Sequence, residues 1–334
     1  MKVLITGVAG FLGSHLADKF INNGDEVFGI DNLSGGYIEN VNSKVNLLIE
    51  DLKNFDKINY FFKDIDIVIH SACTAYEGLS VFSPHFVTSN TYDITVSTLS
   101  SSVKHGVKKI IYLSSMARYG TQDSVPFTED MIPRPQDPYG IAKYASELTV
   151  KNLCETHDIN YTILVPHNII GPRQKYDDPY RNVASIMINR ILNNKQPIIY
   201  GDGNQKRCFS FIDDVVDPIF LSSKLDLANG MTINIGPDNN FITINELCKT
   251  ICDIMGKEFN PIYLPDRPNE VKYANCSAKL AETILSYTPK TELTNGLTRL
   301  IDWISQSKAK PFKYHIPLEI DNFMTPSFWR PSFE

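Results

Sequence analysis

The chain is 334 residues long, more than one average domain, and can bury a large core. Its 43% hydrophobic and 21% charged residues are ordinary for a globular protein and give a disordered, collagen-like or membrane-spanning class no support. A net charge of −6 argues against a nucleic-acid surface as the main function, though a local basic patch could still hold a phosphorylated small molecule.

Met1 to Gly7 is a short apolar run ending in glycine with no small-residue cleavage site behind it, so it reads as a strand rather than a signal peptide. No apolar run approaches the roughly 18 residues that span a bilayer, and no membrane association is expected. The six cysteines are scattered and suggest reduced thiols in a cytoplasmic protein. Cys248 and Cys252 lie four apart on an expected helix with no further ligands nearby. They read as structural, and no metal is expected.

Residues 2–6 are nearly all apolar, as a strand buried on both faces should be, and Gly7-Val8-Ala9-Gly10-Phe11-Leu12-Gly13 follows directly. Gly7, Gly10 and Gly13 permit a tight turn, close approach of backbone to a pyrophosphate, and close packing of a helix, with Phe11 and Leu12 opening that helix against the cofactor. A second strand over 26–30 ends in Asp31, 18 positions after Gly13. An acidic residue there suits a ribose 2′-hydroxyl and repels a 2′-phosphate, which favours NAD over NADP. Asn32 and Ser34, in the turn that follows, are assigned to the same cofactor.

Further strands are expected near 45–50, at 67–70 and at 109–113, with a helix over about 85–105 between the last two. This alternation predicts an α/β fold, a doubly wound parallel sheet of Rossmann type. Asp51 and Leu52 follow the third strand, where an adenine could sit, and Ala72 follows the fourth, where small residues let a cofactor lie against the backbone. Gly7, Asp31, Asp51, Ala72, Ser114 and Ser115 would all lie at the carboxyl edge of the sheet, where ligands of such sheets collect.

Tyr139 and Lys143 are four apart and share a face of an expected helix over about 139–157, where an ammonium can stabilise a neighbouring phenolate. A tyrosine pKa of ~10 must fall by about 3 to suit a general base at neutral pH, which takes roughly 4 kcal/mol of preferential phenolate stabilisation.

Gly7-x-x-Gly10-x-x-Gly13, Ser114 to Tyr119 and Tyr139-x-x-x-Lys143 together resemble the extended short-chain dehydrogenase/reductase family, and within it the NAD-dependent nucleotide-sugar epimerases and dehydratases. The similarity covers nearly the whole chain. It implies that Ser115, Tyr139 and Lys143 are catalytic, that Ser114, Tyr139 and Lys143 also touch NAD, and that Ser115 and Met116 meet the sugar. Dehydratases and decarboxylases that this chain resembles carry an acidic residue just after the catalytic hydroxyl; here Met116 and Ala117 stand there. The resemblance therefore implies an epimerase acting at C4 of an NDP-hexose, most simply a UDP-sugar, through a transient 4-keto sugar. A dehydratase, decarboxylase or reductase of the same family, or a nucleotide sensor without chemistry, is the alternative. Arg118 departs from the small apolar residue expected, either as a surface difference or as a contact to a charged sugar.

After a strand over 161–165, Pro166 to Gln174 resembles the family's turn into the substrate region, with Asn168 on the diphosphate and His167 as hydrogen-bonded architecture. Arg207 and Arg267 fall in further family-like stretches and would grip the diphosphate, each able to make two parallel bonds to phosphate oxygens. A polar loop over 176–182 could cover the sugar, and a helix over 183–192 follows it. The expected organisation is an NAD-binding domain over 1–166, to which a later strand near 231–236 returns, interleaved with a smaller C-terminal substrate-binding domain over 167–334. The proline- and aromatic-rich end, 310–334, reads as an apolar docking tail. Family similarity further implies a homodimer built on a four-helix bundle from the helices near 85–105 and 139–157.

Overall fold

The computed structural model describes residues 1–238 and 241–333. Six strands of the first half, β1 (Lys2–Thr6), β2 (Glu26–Asp31), β3 (Asn46–Ile49), β4 (Ile67–His70), β5 (Lys109–Leu113) and β6 (Asn160–Pro166), join β7 (Thr232–Ile235) in one parallel sheet of order 7-6-5-4-1-2-3. The lack of polar alternation in these strands has its reason in the packing. Val3, Ile5, Ile69, Ile111 and Leu164 enter one core, and Leu4, Ile30, Val68, Ile110 and Ile163 enter a second on the opposite face. Both faces are covered, so every position must be apolar, and each such side chain contributes about 1.5–3 kcal/mol by leaving water.

The strand order reverses between β1 and β4, which opens a crevice beyond their carboxyl ends. Gly7 closes β1 there at φ +71°, and a Cβ on it would stand 2.9 Å from the Ala72 Cα. No side chain fits, and the two backbones approach closely.

The helix expected over 85–105 is broken into Pro84–Thr88, a π-helical turn Ser89–Asp93, and Ile94–Lys104. That turn leaves the Asn90 carbonyl free to accept the Thr74 N–H at 3.2 Å and so ties the loop after β4 to the helix, a detail that hydrophobic period does not register. The long helix starts one residue before its expected position, at Pro138–Thr156, because Pro138 occupies its first turn and Asp137 caps it, accepting the Gly140 N–H at 2.9 Å.

The second half returns to the sheet through β7 and through the helix Ile212–Lys224, which packs against Phe11–Asn22 with the Phe20 and Phe220 rings 5.0 Å apart. Beyond it, small sheets hold the substrate side: Ile198–Tyr200 pairs with Ile262–Leu264, and Lys206–Arg207 lies between Ile242–Thr243 and Tyr273–Ala274.

The segment after helix Leu293–Ser307 docks as expected but does more than cover the core. Lys313 donates its N–H to Asp177 (2.8 Å), Ile320 to Phe82 (2.8 Å), and the Glu319 carboxylate accepts the free His85 and Phe86 N–H groups at the start of Pro84–Thr88. It ends with Phe328 and Trp329 buried in a third core that also contains Tyr139; its last residue, Glu334, lies outside the described residues. Among the described residues no helix is long and apolar enough to cross a membrane, and no group of three metal-binding side chains occurs.

Candidate active site

One cavity of about 510 Å³ runs along the carboxyl edge of the sheet and on into the second half. Every residue singled out from the sequence as a cofactor or substrate contact lines it: Gly7, Gly10, Phe11, Leu12, Gly13, Asp31, Asn32, Ser34, Asp51, Leu52 and Ala72 at one end, Ser114, Ser115, Met116, Tyr139 and Lys143 in the middle, and Asn168, Arg207 and Arg267 at the other.

The first end is built from backbone. Gly10 caps the helix Phe11–Asn22 with no side-chain hydrogen bond and no acidic residue in the first turn, so its leading N–H groups and positive dipole end face the cavity. A Cβ at Gly13 would fall 2.1 Å from the Gly7 carbonyl oxygen. Only glycine lets the helix start pack this closely on the loop. Asp31 braces it: Oδ2 accepts the Ala9 N–H at 2.9 Å and Oδ1 the Leu33 N–H at 2.7 Å. Burial raises the Asp31 pKa and those backbone donors oppose it. A carboxylate has about four acceptor sites, so capacity remains for ribose hydroxyls. Beside it Asn32 accepts from the Ser34 hydroxyl (2.6 Å) and donates to Asp51 (3.2 Å). A cradle that only glycine can line, an uncapped helix start and a 2′-hydroxyl acceptor fit NAD.

In the middle, Tyr139 is buried in the first turn of its helix and stands within hydrogen-bonding reach of Ser115. Burial raises the phenol pKa well above its ordinary value, nearby Cys73 and Glu77 raise it further, and Ser115 lowers it. The protein alone thus keeps the tyrosine neutral. Lys143 is fully enclosed and donates to the Leu113 carbonyl at 2.7 Å, with its ammonium 5.0 Å from the Tyr112 ring centre. Burial would lower its pKa, but Cys73 and Tyr112 outweigh this and raise it. Lys143 is held cationic and fixed by the strand end. Ser114, although on the wall, turns its hydroxyl away from the cofactor side to donate to Glu147.

At the far end Arg267 makes two bonds to Glu270, at 2.8 and 3.1 Å, and Arg207 approaches the same carboxylate at 3.5 Å. Burial alone would raise the Glu270 pKa; the two arginines bring it below the ordinary value. The Glu270 carboxylate lies between the two guanidiniums, and Glu77 faces them as well. Asn168 sits at φ +41° and donates to the Cys208 carbonyl at 2.9 Å, leaving a second amide proton for a ligand.

One expectation is corrected by packing. Arg118 is neither at the surface nor on the sugar: it is 4% exposed, pairs with Glu147 at 3.0 Å and reaches the Tyr119 hydroxyl at 3.1 Å. It serves as the buried counter-charge to Glu147 of the helix Pro138–Thr156. The tail, read as a docking segment, brings Phe328 and Trp329 into the cavity wall. His167 is held as architecture, bonded to the Pro237 carbonyl at 3.1 Å, with burial lowering its pKa to about 4.

Sequence reasoning did not single out Glu77, Tyr180, Tyr200 or Trp329, all on the cavity wall. Tyr180 lay inside the loop expected to cover the sugar. Trp329 carried no signal, because only the tertiary course of the tail brings it near Tyr180 and Tyr200, with ring centres 6.1 and 6.5 Å away.

The profile of the NAD-dependent epimerase/dehydratase family matches residues 3–236. Among solved structures, the UDP-glucose 4-epimerase of Thermotoga maritima, solved with UDP-glucose, is 32% identical, with a TM-score of 0.86 over 92% of this chain and 99% of that one. The UDP-N-acetylglucosamine 4-epimerase of Methanobrevibacter ruminantium, in complex with UDP-N-acetylmuramic acid, is 32% identical at a TM-score of 0.85, over 92% and 98%. The UDP-glucuronic acid 4-epimerase of Bacillus cereus, in complex with UDP-glucuronic acid and NAD, is 30% identical at 0.85, over 92% and 100%.

Proposed function

The chain belongs to the NAD-dependent epimerase/dehydratase family, and from that premise we propose that it inverts C4 of a UDP-hexose and returns its cofactor unchanged. The observation that carries the reading is the order of groups along one cavity: a glycine cradle for NAD, then Ser115 and Tyr139, then Arg207 and Arg267. Bound NAD supplies a reversible hydride acceptor and, in its oxidised form, a positive ring. The Tyr139 phenolate, hydrogen-bonded by Ser115, takes the proton from the C4 hydroxyl to become the neutral phenol, and gives that proton back when the 4-keto sugar is reduced; Lys143 keeps a fixed positive charge near it. Burial raises the phenol pKa, and positive charge near it, from Lys143 and from the oxidised ring when bound, favours the phenolate. Arg207, Arg267 and Asn168 hold the diphosphate, so the hexose alone is free to turn. Met116 and Ala117 bring no carboxyl to the reacting carbon, which favours re-reduction over elimination or decarboxylation.

Purified protein loaded with NAD is expected to interconvert UDP-glucose and UDP-galactose, or their N-acetyl forms, with no net change in NADH absorbance and no change in product mass. Loss of water from these substrates, or loss of carbon dioxide from UDP-glucuronate, in place of inversion would sink the reading. The six cysteines are all free, which suits a reducing cytoplasm. Ile141 and Leu148, 54% and 50% exposed and seven apart on the helix Pro138–Thr156, supply an apolar stripe for a four-helix dimer. Sedimentation as a monomer would remove that part of the proposal.

A further inference from the structure

Glu77 opens the short helix Glu77–Ser80 that follows the loop after β4. Its side chain is exposed and lines the cavity. Among the described residues no hydrogen bond or ion pair holds its carboxylate. The charged and titratable groups that face it are Asp137 and Tyr139 from the catalytic helix and Arg207, Arg267 and Glu270 from the diphosphate end.

All of these are already engaged, Tyr139 with Ser115. Asp137 accepts from Gly140 and from the Ser80 hydroxyl at 2.9 and 3.2 Å, and Arg267 is doubly bonded to Glu270. Arg207 shares Glu270 and donates to the Lys206 and Lys272 carbonyls at 2.9 and 3.2 Å. Glu77 is left as an acceptor without a donor, between the proton-transferring phenol and the arginine pair. Burial, and then Asp137, push its pKa up to about 7, against the pull of Arg207 and Arg267. An ionised carboxylate in that place is free to accept from donors on a ligand, and a second carboxylate beside it meets like charge.

We propose that Glu77 is a specificity-determining residue that accepts hydrogen bonds from hydroxyl or amino groups on the sugar ring and excludes sugars that carry a carboxylate. This rests on the reading above, that a nucleotide sugar spans the cavity from Tyr139 to the arginines. Discrimination arises from repulsion as much as from attraction, and it is strongest where Glu77 is ionised.

The test is calorimetric titration of the NAD-loaded protein with UDP-glucose and with UDP-glucuronate at pH 8 and pH 6, for the wild type, Glu77→Gln and Glu77→Asp. In the wild type at pH 8, UDP-glucose is expected to bind at least about tenfold tighter than UDP-glucuronate. The gap should narrow at pH 6, as Glu77 takes up a proton. Glu77→Gln, which keeps the shape, should close most of the gap and remove its pH dependence, while Glu77→Asp restores part of it. A gap of the same size in Glu77→Gln, or a wild-type gap that ignores pH, would overturn the proposal. Since binding is read without turnover, a protein that discriminates but never inverts C4 would overturn the epimerase reading and leave this one standing. An active epimerase with no Glu77 effect would do the reverse.

Discussion

The two ends of the cavity are built on different physical plans. At the NAD end the ligand meets backbone: Gly7, Gly10 and Gly13, a bare helix start, and an Asp31 whose oxygens are tied to main-chain N–H groups. At the nucleotide-sugar end it meets side chains from segments far apart in the chain, Glu77, Asn168, Tyr180, Tyr200, Arg207, Arg267 and Trp329. A backbone site tolerates little change and holds one ligand; a side-chain site can be retuned one residue at a time. Substitutions at the first end should therefore affect all sugars alike, and those at the second should change their ranking.

The sharpest test falls where the two ends meet. Tyr139→Phe removes one hydroxyl, and a positioned general acid–base is worth about 10²–10⁴ in rate. The expectation is a loss of that size in kcat with bound NAD and UDP-hexose affinity both retained. A variant within tenfold of wild type would remove Tyr139 from the chemistry.

Next come paired changes that separate the ends. Gly13→Ala forces a Cβ against the Gly7 carbonyl, so the protein should lose NAD on purification and lose activity toward every sugar in proportion. Arg267→Ala should keep its NAD but bind UDP about 10–100-fold more weakly, since a hydrogen bond to a charged group is worth about 1.5–3 kcal/mol. If Arg267→Ala lost NAD and Gly13→Ala kept it, the division drawn here would be wrong.

A smaller effect is expected at Trp329. In a closed core, Trp→Ala costs about 3–5 kcal/mol, but a tail can undock at less than that cost to the rest of the fold. Trp329→Ala should raise KM for the UDP-hexose several-fold and lower Tm by less than a core substitution would. Hydrogen exchange at Lys313 and Ile320, whose N–H groups hold the tail, should accelerate while β1 to β6 remain protected. Uniform loss of protection would mean the tail is part of the cooperative core.

The same contrast explains what could be read from the amino-acid order alone. The sheet, the glycine turn, Asp31 and the Tyr139–Lys143 pair are local patterns whose geometry follows from helix and strand periods. Arg118 was misread because its partner Glu147, 29 positions away, is brought to it only by packing of the catalytic helix on β5. Glu77 was passed over because an acidic residue before a glycine is an ordinary solvated turn until the fold closes a cavity around it.

The smallest effect tests how the tail is held. Asp177 is fully buried; burial would raise its pKa, but the Tyr37 hydroxyl at 2.6 Å, Lys175 and Lys313 together bring it below the ordinary carboxylate value. A depressed folded-state pKa contributes stability that is complete above the unfolded value near 4 and is lost as pH falls through the folded one. The Lys313 side chain is itself 63% exposed, so its ion pair at 3.3 Å is largely screened by solvent, and the Tyr37 bond carries most of the contribution. Asp177→Asn should therefore cost about 1 kcal/mol at pH 7, the difference between a charged and a neutral acceptor, seen as a slightly lower Tm and faster exchange at Lys313. The difference between variant and wild type should shrink in acid and vanish once Asp177 is protonated. A gap that persists there would mean that the carboxylate's shape, and not its charge, fastens the tail over the sugar end of the cavity.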